Sequence, residues 1–270
     1  MKDIKFLEER AKNIRRSIIK MTYEAKSGHP GGSLSLAEIL TVLYFDEMNI
    51  DPSNPHMENR DRLVLSKGHA APGLYAALAE RGYFSKEDLS TLRQVGSKLQ
   101  GHPDMKKLAG VEMSTGSLGQ GLSVANGMAL AGKLDKKDYR VYAILGDGEV
   151  QEGQVWEAAM SAAHYKIDNL CAFLDSNNLQ IDGNVCDIMG VEPLDKKWEA
   201  FGWHVIKIDG HNFDEITKAI DESKTIKGKP TMIIAKTTKG KGVSFMENVC
   251  NFHGVAPNKE EMQKAMEELA

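Results

Sequence analysis

The chain has 270 residues, of which 41% are apolar and 27% charged, with a formal net charge of -4. That length supports one large α/β domain with a sizeable core. The near-balanced charge, without a Lys/Arg run able to track a phosphate backbone, argues against a nucleic-acid binder. The first residues carry Asp3, Glu8 and Glu9 among Lys and Arg, so they read as neither a signal peptide nor a transit peptide. No stretch approaches the roughly 18 uncharged apolar residues of a membrane span. Cys171, Cys186 and Cys250 lack metal-type spacing and fit a reducing compartment. Cys171, within an apolar run, reads as a buried thiol. A soluble cytoplasmic protein is expected.

In chain order, Ile4, Leu7, Ala11, Ile14 and Ile18 recur at helical spacing and predict an amphipathic helix over about 3–25. Ser35-x-x-Glu38 has a capping-box pattern and predicts a helix over about 36–47. A short strand at 62–65 and helices at about 72–81 and 86–94 follow. A Gly-rich turn at 116–121 leads into a helix to 134. Residues 139–145, apolar apart from Arg140, form a run of the buried-strand type. Helix 152–165, strand 169–175, helix 195–201, strand 203–208, helix 213–223 and strand 231–235 continue the alternation. Asn258-x-x-Glu261 opens a last helix. This order predicts parallel βαβ units in a doubly wound, mostly parallel sheet flanked by helices, with 1–270 as a single domain. Ligands in such sheets bind beyond the carboxyl ends of strands, which singles out loops 146–152, 175–183 and 209–213.

Gly146-Asp147-Gly148 follows one buried strand and Asn177-Asn178 the next, with 28 residues between Gly148 and Asn177. Glycines let a phosphate approach the backbone, and the helix expected near Glu152 aims free N–H groups at the same space. Magnesium takes oxygen ligands, commonly one or two carboxylates plus substrate phosphates. Asp147, the Asn177 amide oxygen and a main-chain carbonyl would serve. Either motif alone also reads as a turn. Histidines form a second signal: His29, His69, His102 and His253 each lie beside glycine or within glycine-rich loops. Their spacing is not that of a zinc helix. Imidazoles suit polyhydroxylated or phosphorylated ligands, because they donate, accept and move protons near neutral pH.

The segments SGHPGGSLS, SKGHA, LRQVGSKLQGHPD, STGSLGQGLS, GDGEVQEGQVWEA, DSNNLQIDG and FHGVAPN occur in this order. Together they resemble the N-terminal, diphosphate-binding region of transketolase over about residues 10–260. The resemblance implies a thiamine diphosphate-binding fold. It implies Mg2+, or another divalent cation such as Ca2+ or Mn2+, bound by Asp147, Asn177 and the Leu179 carbonyl. His69 and Gly148 would contact the diphosphate, with Asn177 and His253 beside it and Gly116 and Leu118 packing the cofactor. His29, His102 and His253 would bind substrate hydroxyls and assist proton transfer. Glu152 and Glu157 would lie at a subunit interface. Lys67 stands where a smaller residue is commoner in the family, and Phe252 where tryptophan is frequent.

In transketolases a glutamate on a further domain activates the cofactor, and no segment here resembles that domain. The expectation is an N-terminal subunit of a split transketolase. It would transfer a two-carbon ketol unit between sugar phosphates in the pentose phosphate pathway. A C-terminal partner would carry the pyrimidine-binding domain and the glutamate, with two copies of each chain in the assembly. Half of another thiamine enzyme, such as a branched-sugar transketolase or a ketoacid dehydrogenase, is the alternative, as is a non-catalytic homologue. The absence of a G-x-G-x-x-G after the first strand argues against a plain nucleotide-binding domain.

Overall fold

The computed structural model describes residues 3–270. Its helices are α1 (Ile4–Ala25), α2 (Pro30–Leu34), α3 (Ala37–Val42), α4 (Ala71–Arg81), α5 (Gly121–Leu134), α6 (Gly153–His164), α7 (Val185–Ile188), α8 (Leu194–Ala200), α9 (Phe213–Thr225) and α10 (Lys259–Glu268). The strands are β1 (Arg62–Leu65), β2 (Val141–Gly146), β3 (Leu170–Ser176), β4 (Leu179–Gln180), β5 (Gly183–Asn184), β6 (His204–Asp209) and β7 (Thr231–Lys236). Five strands form one sheet in the order β1-β2-β3-β7-β6, and every pairing within it is parallel.

The uninterrupted apolar strands have a direct explanation. Tyr142, Ile144, Cys171, Phe173 and Ile233 face one core, closed by α1, α3, α4, α9 and α10. Val141, Ala143, Leu145, Leu170, Ala172 and Met232 face the other, beneath α5, α6 and α8. With both faces covered, the period-2 alternation of a half-exposed strand disappears. Cys171 is fully buried, as its apolar context predicts. Among the described residues no helix is long and apolar enough to cross a membrane.

Several local expectations change. Ser35 does not cap a helix: it follows α2, and its hydroxyl donates to Gly32 O and to the Asp175 carboxylate at 2.7 Å. Glu38 is taken by Arg15 instead, so the pattern serves long-range contacts, and α3 runs on into a wider π-type turn at Leu43–Glu47. Residues 86–94 form only a 3-10 turn, Lys86–Thr91. There the Ser90 and Thr91 hydroxyls bond back to the Glu87 and Asp88 carbonyls, competing with helix propagation. The first histidine loop is partly helical: His29 precedes α2, with Pro30 at its first position. The capping box at Asn258 and Glu261 is present as expected.

Candidate active site

The carboxyl ends of β1, β2, β3 and β7 point to one edge of the sheet, and the loops beyond them enclose a cavity of about 350 Å³. Its lining includes His29, His69, Gly116, Leu118, Asp147, Gly148, Glu152, Asn177, Leu179 and His253, all singled out in the sequence. His102 is exposed at the rim, its ring centre 6.5 Å from that of His29. Glu157 is exposed on α6, beside a separate groove with Ser123 and Gln154.

Asp147 lies just past β2 and is 4% exposed. Its carboxylate accepts from Gly148 N at 2.8 Å and Asn178 N at 2.5 Å, which ties the GDG turn to the asparagine pair. Burial, and then the charge of Asp175, push its carboxyl up to about 6. The Asn177 amide oxygen accepts from Leu179 N at 3.1 Å, and its NH2 donates to Asp175 at 3.2 Å. Those two bonds fix which terminal atom of the amide is the oxygen. Among the described residues no group of three His, Cys, Asp or Glu side chains is arranged to hold a metal ion. A cation here would therefore rely on one carboxylate together with amide and carbonyl oxygens, a hard-ion donor set.

Four buried charged groups to which the sequence assigned no role complete the site: Lys67, Glu149 and Lys239 line the cavity and Asp175 lies behind them. Asp175, fully buried at the end of β3, accepts from Ser35, Lys67, Thr237 and Asn177. Lys67, 3% exposed, also donates to Gly32 O at 3.0 Å. Lys239, 2% exposed, donates to Leu179 O at 3.2 Å and lies 2.8 Å from His253 Nδ1. Glu149 accepts from Ser66 Oγ at 2.5 Å, Gly119 N at 2.9 Å and Gly146 N at 3.1 Å, pinning the Gly116–Gly121 turn to the β2 loop. A signal did exist: Asp175 ends an otherwise apolar strand, and Lys67 stands two residues before His69 in a loop already singled out. Their partners, however, are far away in sequence.

The electrostatics of the cavity suit an anion. Burial, and then Lys67, lower Lys239 to about 8. Burial is also the first cause of the depression of the histidines, to about 4 for His29, about 2 for His69 and about 3 for His253, with neighbouring cations adding to it. His102 is lowered by burial and then Arg93. These imidazoles are neutral at pH 7, packed with His69 and His253 stacked at 5.0 Å and His29 edge-on to His69 at 5.2 Å. Neutral rings can donate and accept hydrogen bonds to hydroxyls. The His29 Nδ1 atom is buried and finds no partner in the protein, as expected of a group that faces a ligand.

A parallel sheet with a cation-rich pocket at its carboxyl edge, next to an oxygen donor set, defines an α/β domain of the phosphate-binding cofactor class. Comparison with known proteins makes this specific. The family model for the transketolase thiamine diphosphate binding domain matches residues 7–270. The chain is 51% identical over 263 residues to the 6-deoxy-6-sulfo-D-fructose transketolase subunit of Clostridium sp. (strain MSTE9), covering 97% of this chain and 96% of that one. It is 42% identical to one of the subunits of the apulose-4-phosphate transketolase of Phocaeicola vulgatus, covering 99% of this chain and 95% of the relative. Human transketolase is 46% identical over 97% of this chain, which spans only 42% of the human protein. The crystal structure of Campylobacter jejuni transketolase superposes with a TM-score of 0.94 at 40% identity, covering 99% of this chain and 43% of that one. The chain belongs to the transketolase family of thiamine diphosphate-dependent transferases.

Proposed function

We propose that this chain is the diphosphate-side subunit of a two-chain transketolase, one domain spanning 1–270, that moves a two-carbon ketol unit between sugars carrying a terminal anion. The observation that carries the reading is the pairing of Lys67 and Lys239, both buried, with the Asp147–Asn177–Leu179 oxygens in one cavity. Two buried cations beside one cavity destabilise each other, and a diphosphate would relieve both. A divalent cation, Mg2+ in the cell, would take Asp147, Asn177 Oδ1 and Leu179 O. In doing so it would compete with the Lys239 ammonium for that carbonyl. It would also remove the penalty that burial places on the Asp147 carboxylate. The residues present therefore fit both groups.

Bound there, the cofactor would supply the nucleophilic carbon and the electron sink for cleavage beside a ketose carbonyl. This chain would hold its tail through Lys67, Lys239, His69 and Gly148, with His253 beside it and Gly116 and Leu118 as packing walls. His29 and His102, neutral near pH 7, would orient substrate hydroxyls and relay protons at their ring nitrogens. The activating glutamate and much of the terminal-anion site would come from a partner chain. Two relatives that this chain matches over nearly their whole lengths are themselves named as transketolase subunits. Glu152 and Glu157 would meet a second copy, giving two copies of each chain. Free Cys171, Cys186 and Cys250 suit a cytoplasmic setting.

The donors those relatives' names suggest are a sulfonated ketose and a branched-sugar phosphate, and pentose phosphate chemistry would require a ketose phosphate. To test the reading, the chain is assayed for ketol transfer with thiamine diphosphate and Mg2+, alone and with its C-terminal partner. Donors would be 6-deoxy-6-sulfo-D-fructose, apulose 4-phosphate and ketose phosphates. Transfer only in the presence of the partner is expected. Full turnover by the chain alone would overturn the two-chain reading, and decarboxylation of a ketoacid would overturn the reaction class.

A further inference from the structure

Of the three loops singled out at the strand ends, 146–152 and 175–183 form the cavity, whereas 209–213 does not line it. His211 in that loop has a different task. Its Nε2 accepts the Thr238 backbone N–H at 2.8 Å, so Nδ1 carries the proton and donates to Glu38 Oε2 at 3.0 Å. Glu38 is 6% exposed, and its carboxylate also accepts from Arg15 NH2 at 2.5 and 2.6 Å. Arg15 in turn donates Nε–H to Lys241 O at 3.0 Å. One buried carboxylate thus orients two groups that grip the backbone on either side of Lys239.

The rest of the segment is fixed with similar economy. The Thr237 hydroxyl donates to Asp175, and Thr237 N donates to Ser176 O at 3.1 Å. Gly240 N donates to Gly31 O at 3.0 Å. Substituting Gly31 would place a Cβ 2.9 Å from Phe252 O and 3.1 Å from Lys239 Cγ, so the segment lies tightly against α2. Every residue from 237 to 241 is held, and the one side chain sent into the cavity is that of Lys239. A lysine side chain has many rotamers to lose, so a fixed backbone is what makes its ammonium a defined anion contact.

We infer that His211, oriented by Glu38, is a positioning residue that sets Lys239 for the anionic tail of the cofactor. The inference rests on the cofactor reading given above. Thiamine diphosphate affinity is measured by calorimetry in Mg2+ on the chain assembled with its partner. The variants are His211→Phe, His211→Gln, Lys239→Met and the His211→Phe/Lys239→Met double. Melting temperatures are recorded for each.

His211→Phe removes the acceptor at similar volume and is expected to weaken binding by about 10-fold or more, the range found when an orienting partner is lost. His211→Gln keeps an acceptor within reach of Thr238 and is expected to stay within about 3-fold of wild type. In the Lys239→Met background His211→Phe is expected to add less than about 2-fold, because its effect passes through the lysine. A folded His211→Phe with wild-type affinity, a Gln variant no better than Phe, or independent losses in the double would each overturn the inference. Should His211→Phe not fold, His211→Asn takes its place, since its amide stops short of Thr238. Failure of the wild-type assembly to bind the cofactor would overturn the functional reading instead, so the two failures are separable.

Discussion

Removing the Lys67 ammonium isolates the buried ion pair on which the cavity is built. Lys67 and Asp175 side chains are 3% and 0% exposed, so water cannot compensate either one. In Lys67→Met the Asp175 carboxylate keeps only the Ser35 and Thr237 hydroxyls and the Asn177 amide. Breaking one side of such a pair typically costs about 3–5 kcal/mol, because an uncompensated charge stays buried. For a domain of this size that corresponds to a fall in melting temperature of roughly 5–20 °C. Urea unfolding followed by circular dichroism measures the loss directly. Asp175→Asn in the same background removes the stranded charge while leaving a polar group for its neighbours. The double variant is therefore expected to recover about 1–2 kcal/mol relative to Lys67→Met. A single variant within about 1 kcal/mol of wild type, or a double variant less stable than the single, would refute the reasoning.

Asp147→Ala removes the carboxylate of the proposed clamp and is expected to lower Mg2+-dependent cofactor affinity by at least about 100-fold in calorimetry; unchanged affinity would refute the clamp. His102→Ala is expected to reduce kcat by about 100-fold while cofactor affinity stays within about 3-fold, since it stands at the rim. Loss of cofactor binding with normal saturated turnover would reverse that role. His69, lowered from 6.5 to about 2 chiefly by burial, stays neutral in the fold but protonates in the unfolded chain below about pH 6.5. The unfolded state then binds more protons, so stability falls as pH drops below 6.5, by about 2 kcal/mol at pH 5 from this residue. His69→Gln is expected to lose about that much less between pH 7 and pH 5 in urea melts; an identical pH dependence would contradict it.

The large elements were legible because local signals and tertiary demands agree. The apolar runs of β2 and β3, the helical spacing of α1 and the Asn258 cap each act over a few residues. GDG and the asparagine pair pointed to the cavity because the carboxyl-end rule converts sequence order into location. What was not legible depends on contacts across long separations. Ser35 reads locally as a cap, yet its hydroxyl is claimed by Asp175, 140 residues away. The bond between His211 and Glu38 spans 173 residues, and Lys239 reaches back 60 residues to Leu179. At 86–94, hydroxyl back-bonding by Ser90 and Thr91 won over helical periodicity.

The clamp itself is tested most directly by crystallising the assembled enzyme with thiamine diphosphate and Mn2+ and locating the ion by anomalous scattering. The account predicts a single strong peak in the cavity at bonding distance, about 2.0–2.3 Å, from an Asp147 carboxylate oxygen, Asn177 Oδ1 and Leu179 O. It also predicts that the Lys239 ammonium turns from that carbonyl to a diphosphate oxygen. A peak away from Asp147, or cofactor bound in the cavity with Lys239 still on Leu179 O, would contradict it.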